Sequence, residues 1–209
     1  MFGIVGYWSF VLSSVLLNLT PGADTIYVLS RSAVGGRRKG IASALGICTG
    51  ILIHTLLAAF GLSVILSTST VAFNIMKIFG AGYLIFMGIK ALVSKNSMLM
   101  VSGDKPEEPI VKTFLQGVLT NPLNPKVALF FLALLPQFVS PANTYDFLPF
   151  VILGLTFFTT STIWCLILAF LSSYISIFIN KSVKVGAVAN KVTGGIYILL
   201  GLNVLLQKM

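Results

Sequence analysis

The sequence predicts an all-α integral membrane protein of six transmembrane helices, arranged as two inverted three-helix repeats in which the first and fourth helices are broken. Three observations carry that prediction. The 209 residues are 56% hydrophobic and only 9% charged, with a mean hydropathy of +0.99, whereas soluble domains carry roughly a quarter charged residues. Six apolar runs recur along the chain as candidate spans, a crossing helix needing roughly 20 such residues. Lys and Arg collect in alternate connections between those runs, the pattern by which cytoplasmic loops announce themselves.

The first run extends from Ile4 to Ser30 and is interrupted near Pro21. It has no basic leading region and no small-residue cleavage site before Thr20 and Pro21, so it is expected to stay in the membrane rather than act as a cleaved signal. The second runs from Ile41 to Leu66, where Gly46 and Gly50 form a small-xxx-small helix contact, and the third from Val71 to Val93. Ser94 to Lys112, with Asp104, Lys105, Pro106, Glu107, Glu108 and Pro109, reads as a solvated linker. The fourth run is Phe114 to Val139, interrupted near Pro122. The fifth, Phe147 to Ile179, exceeds one span, and the sixth is Val192 to Leu206. The chain is thus a single transmembrane domain over 1–209, with repeat 1 at about 1–93, a cytoplasmic linker at about 94–112 and repeat 2 at about 113–209.

A net charge of +9 brings nucleic acid to mind, but the cations sit in short clusters between apolar runs instead of along one polar face. The first connection holds Arg31, Arg37, Arg38 and Lys39, and the third Lys90, Lys95, Lys105 and Lys112. The fifth holds Lys181 and Lys184, with Lys191 at the next helix start, and the second and fourth hold none. Connections one, three and five therefore face the cytoplasm and both termini face outward, with Lys208 a small exception. Lys77 and Lys191, near helix ends, are expected to snorkel. An odd number of helices in each half inverts the second half. Lys77-Ile-Phe-Gly80-Ala-Gly-Tyr83 matches Lys191-Val-Thr-Gly194-Gly-Ile-Tyr197, and the breaks at Pro21 and Pro122 fall in equivalent runs.

An ionisable side chain well inside a span costs roughly 2.5 to 3.5 kcal/mol, so each needs a reason. Asp24 follows Asn18-Leu-Thr20-Pro21-Gly22, where proline removes a backbone donor and glycine loosens the helix. Irregular backbone at that depth persists only where protein or water satisfies it, so the break points to a cavity. The fourth run repeats the device as Thr120-Asn121-Pro122-Leu-Asn124-Pro125-Lys126, with Asn124 as an N-cap and Pro125 as the first residue of a half-helix. Thr20 and Pro21 are assigned the same parts in the first run. Two half-helix starts entering from opposite sides would meet near the midplane, and a zwitterionic amino acid suits them. Its carboxylate would be held by the Pro125 half-helix start and Lys126, while Asp24 binds its ammonium or carries a coupling proton. Two blander readings stand beside this one: Asp24 and Lys126 as a buried structural ion pair, or Asp24 as a solvated cap. His54, the only histidine, titrates near neutrality and is either a proton relay or a hydrogen-bonded packing residue. Thr156, Thr159, Thr160, Ser161 and Thr162 either line a polar path or bond to their own helix.

The run Leu19-Thr-Pro-Gly-Ala-Asp24-Thr-Ile-Tyr-Val-Leu-Ser-Arg31, then Gly36-Arg-Arg-Lys-Gly40 and the Gly46 to His54 helix, resembles the LysE/RhtB family of amino-acid exporters. So do Phe79 to Lys90 and Phe114 to Phe138, so the resemblance spans most of the chain. It implies secondary efflux of amino acids such as homoserine, threonine, leucine or basic ones across a bacterial inner membrane, with proton antiport assumed, no cofactor, and a small-molecule substrate as partner. The family commonly has Pro-Gly-Pro at the first break, where this chain has Pro21-Gly22-Ala23, which is expected to make the break more helical. The apolar surroundings and the lack of further intramembrane acids lean toward neutral substrates.

Other functions compete with this one. Cys48 and Cys165 fall in the second and fifth runs, either as small packing residues or as a pair meeting across the repeat axis in a thiol/disulfide electron carrier. Export of another organic solute is the nearer rival. No cluster of His, Cys and carboxylates has metal-ligand spacing, so no metal site is expected. Gly46, Gly50, Gly80 and Gly82 permit close helix packing within the chain or in a homo-oligomer.

Overall fold

The computed structural model describes residues 2–93, 108–140, 143–181 and 183–206. Helix α1 (Tyr7–Leu19) is followed by α2 (Ala23–Leu57), which runs through a π-helical turn (Ala58–Leu62) into α3 (Ser63–Thr68); α4 spans Thr70–Val93. After α5 (Ile110–Thr120) comes α6 (Pro125–Leu129), prolonged by a π-helical turn (Phe130–Leu134) and a 3-10 turn (Leu135–Phe138); α7 (Leu148–Lys181) and α8 (Val183–Leu206) complete the chain. Strand-like pairing among the described residues is limited to one antiparallel bridge between Ile4 and Val139, which ties the N-terminal segment to the end of that composite helix. The all-helical expectation holds. Of the linker expected at 94–112, residues 94–107 lie outside the described residues, and Ile110 to Lys112 already belong to α5.

By length and composition, Ala23–Ile65, Asn74–Val93 and Leu148–Ser172 can each cross a membrane, and α5 with Pro125–Phe138 adds a span bent by 41°. Tyr7–Leu19 and Asn190–Leu206 are apolar but shorter. Part of the gap from six lies in the 43-residue stretch Ala23–Ile65, which contains the predicted first connection. Gly36, at φ 70° and ψ −173°, interrupts it in a left-handed region that glycine enters without a Cβ clash. A Cβ on Gly40 would lie 2.1 Å from Ser32 Oγ, although residues that far apart in a straight helix are separated by about 12 Å. The chain therefore doubles back at Gly36, where Arg37 and Arg38 are exposed.

Two apolar clusters hold the helices together. In the first, Phe130 lies 5.6 Å from Phe10 of α1 and 4.6 Å from Phe157 of α7, ring centroid to centroid, so the π-helical turn is clamped from both sides. The second, between α2 and α7, contains Val28, Leu29, Ala44, Ile47, Cys48, Cys165, Leu168 and Ala169. Many large apolar side chains point outward, Trp8 and Phe79 among them, as expected where lipid replaces water and burial is no longer the price of folding.

With lipid outside, close backbone approach becomes a main source of helix attraction. A Cβ on Gly46 would lie 2.2 Å from the carbonyl oxygen of Phe114, and one on Gly50 2.7 Å from Asn121 Cβ, so these two glycines seat α2 on α5. Gly88 and Gly194 do the same for α4 and α8. Gly82 has nothing within 4 Å. Gly46→Ala is accordingly expected to cost about 1–3 kcal/mol by overpacking and to lower the melting temperature in detergent, while Gly82→Ala leaves it unchanged. Equal melting temperatures for both variants would refute the tight α2–α5 crossing.

Two expectations need correction. Lys77 does not snorkel: it is buried within α4, whereas Lys191 is exposed. Thr20 and Pro21 do not start a half-helix as Asn124 and Pro125 do. Thr20 is the C-cap of α1, and α2 opens at Ala23 behind Gly22 with no side-chain cap. The physical reason is that Thr20 is turned toward α1: its backbone N–H closes on Leu16 O and Leu17 O, and its hydroxyl donates to Leu17 O at 2.6 Å, so its oxygen accepts from none of the amides that open α2.

Candidate functional site

The site is built where the two helix breaks meet. In the first, Thr20 (φ −73°, ψ 126°) and Gly22 (φ −157°, ψ −172°) are extended, so three residues separate α1 from α2. The break stays open without the second proline, with Thr20 to Gly22 outside both helices. Ala23 occupies the first helical position of α2, a position that also suits proline. In the second break Asn124 caps α6 by accepting from Lys126 N at 3.1 Å, with Pro125 as first residue, as the sequence predicts.

Each break holds a charge from the other. Asp24, in the first turn of α2, is buried and accepts from Asn121 Nδ2 at 2.9 Å. Lys126, buried in the first turn of α6, donates through Nζ to Thr20 O at 3.0 Å and Leu17 O at 3.3 Å. Both carbonyls lie at the α1 C-terminus, where the helix dipole favours a cation, and Leu17 O is shared with the Thr20 N–H and hydroxyl. Gly22 makes room for the stem, because a Cβ there would meet Lys126 Nζ at 3.1 Å and Cε at 3.2 Å. Asp24 and Lys126 form no direct ion pair among the described residues.

The predicted site residues are thus brought together. His54 reaches the same place from the second leg of α2: its Nε2 lies 3.4 Å from Asn121 O, and its ring stacks on Phe131 at 5.3 Å. Asp24 Oδ1, Asn121 Oδ1 and Asn124 Nδ2 are buried without a hydrogen-bond partner. Two acceptors and one donor therefore point into the cluster, a set that can take an ammonium group and a carboxylate. Pro21 and Pro122 sit partly buried beside it. The Thr156 to Thr162 hydroxyls mostly donate to their own helix. Ser161 is the exception, donating to Asn18 Oδ1 at 2.8 Å, while Asn18 Nδ2 donates to Thr160 Oγ1 at 3.2 Å.

Sequence reasoning missed a second polar knot, between α2 and the start of α5. Arg31 pairs with Glu108 at 3.0 Å, donates to Gln116 Oε1 at 2.5 Å and lies over the Tyr27 ring at 5.3 Å. Tyr27 donates to Thr113 O at 2.6 Å. The Lys112 hydrogen bond and the Arg31 charge hold the Glu108 carboxyl below the usual carboxylate range. Residues so far apart in sequence carry no spacing signal of contact. Tyr197, 3.3 Å from the Thr20 hydroxyl, was equally invisible as a neighbour.

Comparison with known proteins places this chain among transporters. The family model described as LysE type translocator matches residues 15–208. The uncharacterised membrane protein YrhP of Bacillus subtilis (strain 168) is 29% identical over 203 residues, covering 93% of this chain and 96% of its own. The leucine efflux protein of Enterobacter sp. (strain 638) is 28% identical over 200 residues, covering 94% and 93%. That of Salmonella choleraesuis (strain SC-B67) is 26% identical over 197 residues, again covering 94% and 93%. No solved structure matches the chain.

Proposed function

The chain belongs to the LysE type translocator family, and from that premise we propose that it is a secondary exporter of small neutral amino acids or their derivatives, working as a proton antiporter in a bacterial inner membrane. It is a membrane transporter and not an enzyme. The observation that carries the reading is the exchange of charges between the two breaks, Asp24 on Asn121 and Lys126 on the Thr20 and Leu17 carbonyls. Charges are kept inside a membrane only where something repays their desolvation. Here they flank unpartnered polar atoms of Asp24, Asn121 and Asn124.

In this mechanism Asp24 receives the substrate ammonium, Asn124 and Lys126 face its carboxylate, and the proton travels through Asp24 with His54 as its neighbour. Leucine efflux proteins among the relatives support an aliphatic, uncharged substrate. The span count belongs to the same proposal. α1 with the first leg of α2 makes one broken span, the second leg another, then α4, the bent α5–Phe138 stretch, α7 and α8, six in two inverted halves. Both termini then face outward, which the Arg37 and Arg38 reversal at Gly36 supports.

The test is efflux of a panel of labelled amino acids from cells expressing the chain. Faster loss of a neutral amino acid, abolished by collapsing the proton gradient, is the expected result. If no amino acid leaves although the chain is in the membrane, another organic solute is the cargo. If basic amino acids alone leave, the neutral assignment fails.

A further inference from the structure

The proposed mechanism makes no use of the polar knot between α2 and the start of α5, yet the knot shares its helix faces with the site. Asp24, Tyr27 and Arg31 follow one another at intervals of three and four residues along the first leg of α2, so they lie on one face. Thr113, Gln116 and Thr120 share a face of α5 in the same way. The two helices are joined at two levels. At the deep one, Asn121 holds Asp24. At the other, about 10 Å further along α2, Arg31 reaches Glu108 and Gln116, and Tyr27 reaches Thr113 O. This second level stands on the side that the distribution of Lys and Arg assigns to the cytoplasm. Arg31 and Glu108 are 14% and 22% exposed there, while Asp24 behind them is buried.

The two legs of α2 grip α5 differently. The second leg is seated backbone to backbone through Gly46 and Gly50, a contact that parts only with loss of close packing. The first leg meets α5 through the ends of long side chains: an ion pair, hydrogen bonds and a guanidinium over a ring. Contacts of that kind release and reform without repacking a core.

We propose that Arg31 and Tyr27, with Glu108, Gln116 and Thr113 as their partners across the two halves of the chain, form the cytoplasmic gate of the transport path. Closed, as here, they seal the cleft between the first leg of α2 and α5 on the cytoplasmic side of Asp24. Opened, they admit cytoplasmic substrate to the unpartnered polar atoms of Asp24, Asn121 and Asn124. The gate rests on the exporter reading, and its test has one arm that needs no transport.

That arm uses the full chain carrying Cys48→Ala and Cys165→Ala, which removes its only thiols, with Thr120→Cys as a probe one turn deeper than Gln116. The Thr120 hydroxyl donates within its own helix, to Gln116 O at 2.7 Å, which makes a thiol a mild replacement. Inverted and right-side-out membrane vesicles are treated with an anionic and a cationic membrane-impermeant thiosulfonate, so that attraction of the reagent by the altered charge cancels. Adding Arg31→Gln or Glu108→Lys is expected to speed labelling about tenfold, the population shift that loss of a hydrogen bond to a charged group produces. The acceleration appears with both reagents and from the cytoplasmic face only. Arg31→Glu combined with Glu108→Arg returns the rate toward that of the parent. Glu108→Lys, at the partly exposed start of α5, covers the case in which Arg31→Gln does not fold. Unchanged rates in the folded variants, acceleration from the outer face, or an exchanged pair as fast as the single variants would overturn the gate.

The second arm is efflux, which Arg31→Gln and Glu108→Lys should lower about tenfold by the same shift and the exchanged pair should restore in part. Labelling that ignores the variants while the parent exports sinks the gate alone. Labelling that responds while no chain, parent included, exports an amino acid sinks the exporter reading and leaves the gate standing.

Discussion

Asp24→Asn is expected to reduce efflux between about tenfold and a hundredfold, since a hydrogen bond to a charged group is worth about 1.5–3 kcal/mol and each 1.4 kcal/mol is a factor of ten. The substitution nearly preserves shape. Asn121 Nδ2, now 2.9 Å from Asp24 Oδ2, still finds an acceptor on the amide, so α2 and α5 remain joined at the breaks. What disappears is the negative charge and the proton it carries. Membrane abundance and melting temperature should therefore stay near wild type while transport falls, a separation that a structural role for Asp24 would not produce. Undiminished, proton-dependent efflux from the variant would remove Asp24 from the mechanism and return it to a packing residue.

Lys126→Met should act in the opposite proportion, on stability first. The ammonium is the hydrogen-bond donor to Thr20 O and Leu17 O at the C-terminal end of α1. Removing it leaves those carbonyls without their cation and Asp24 without a nearby positive charge, and a hydrogen bond to a charged group is worth about 1.5–3 kcal/mol. The expected result is a clear drop in melting temperature in detergent together with loss of efflux. Asp24→Asn combined with Lys126→Met should recover part of the melting temperature, because the two charges compensate each other through the interlocked breaks and their effects are not additive. Efflux should stay absent in the double variant. Strictly additive losses would show that the charges do not sense one another, and full activity of Lys126→Met alone would remove Lys126 from the transport mechanism.

Much of this molecule is legible in its residues because lipid imposes simple demands. Runs of apolar residues, the polar break at Asn121 to Pro125 and the buried charges at 24 and 126 all violate or obey one rule, that polar groups in hydrocarbon need partners. Asn124 and Pro125 begin a helix as their chemistry dictates. Thr20 and Pro21 show the limit of the same reasoning. Their composition also fits a helix start, yet the Thr20 hydroxyl turns back to Leu17 O and ends α1 instead. Lys77 shows it again, since proximity to a helix end says nothing about which neighbour covers the side chain.

By itself, then, the sequence determined the helical class, the two break positions, the charged residues beside them and the family, because each depends on local composition or order along the chain. Only the tertiary structure decided that Asp24 is held from Asn121, that Lys126 answers the carbonyls of α1, and that Arg31 meets Glu108. Those pairings join residues from different helices. Which faces meet is set by close approaches such as Gly46 on Phe114 and by the reversal at Gly36, and such packing leaves no periodic trace in the order of amino acids.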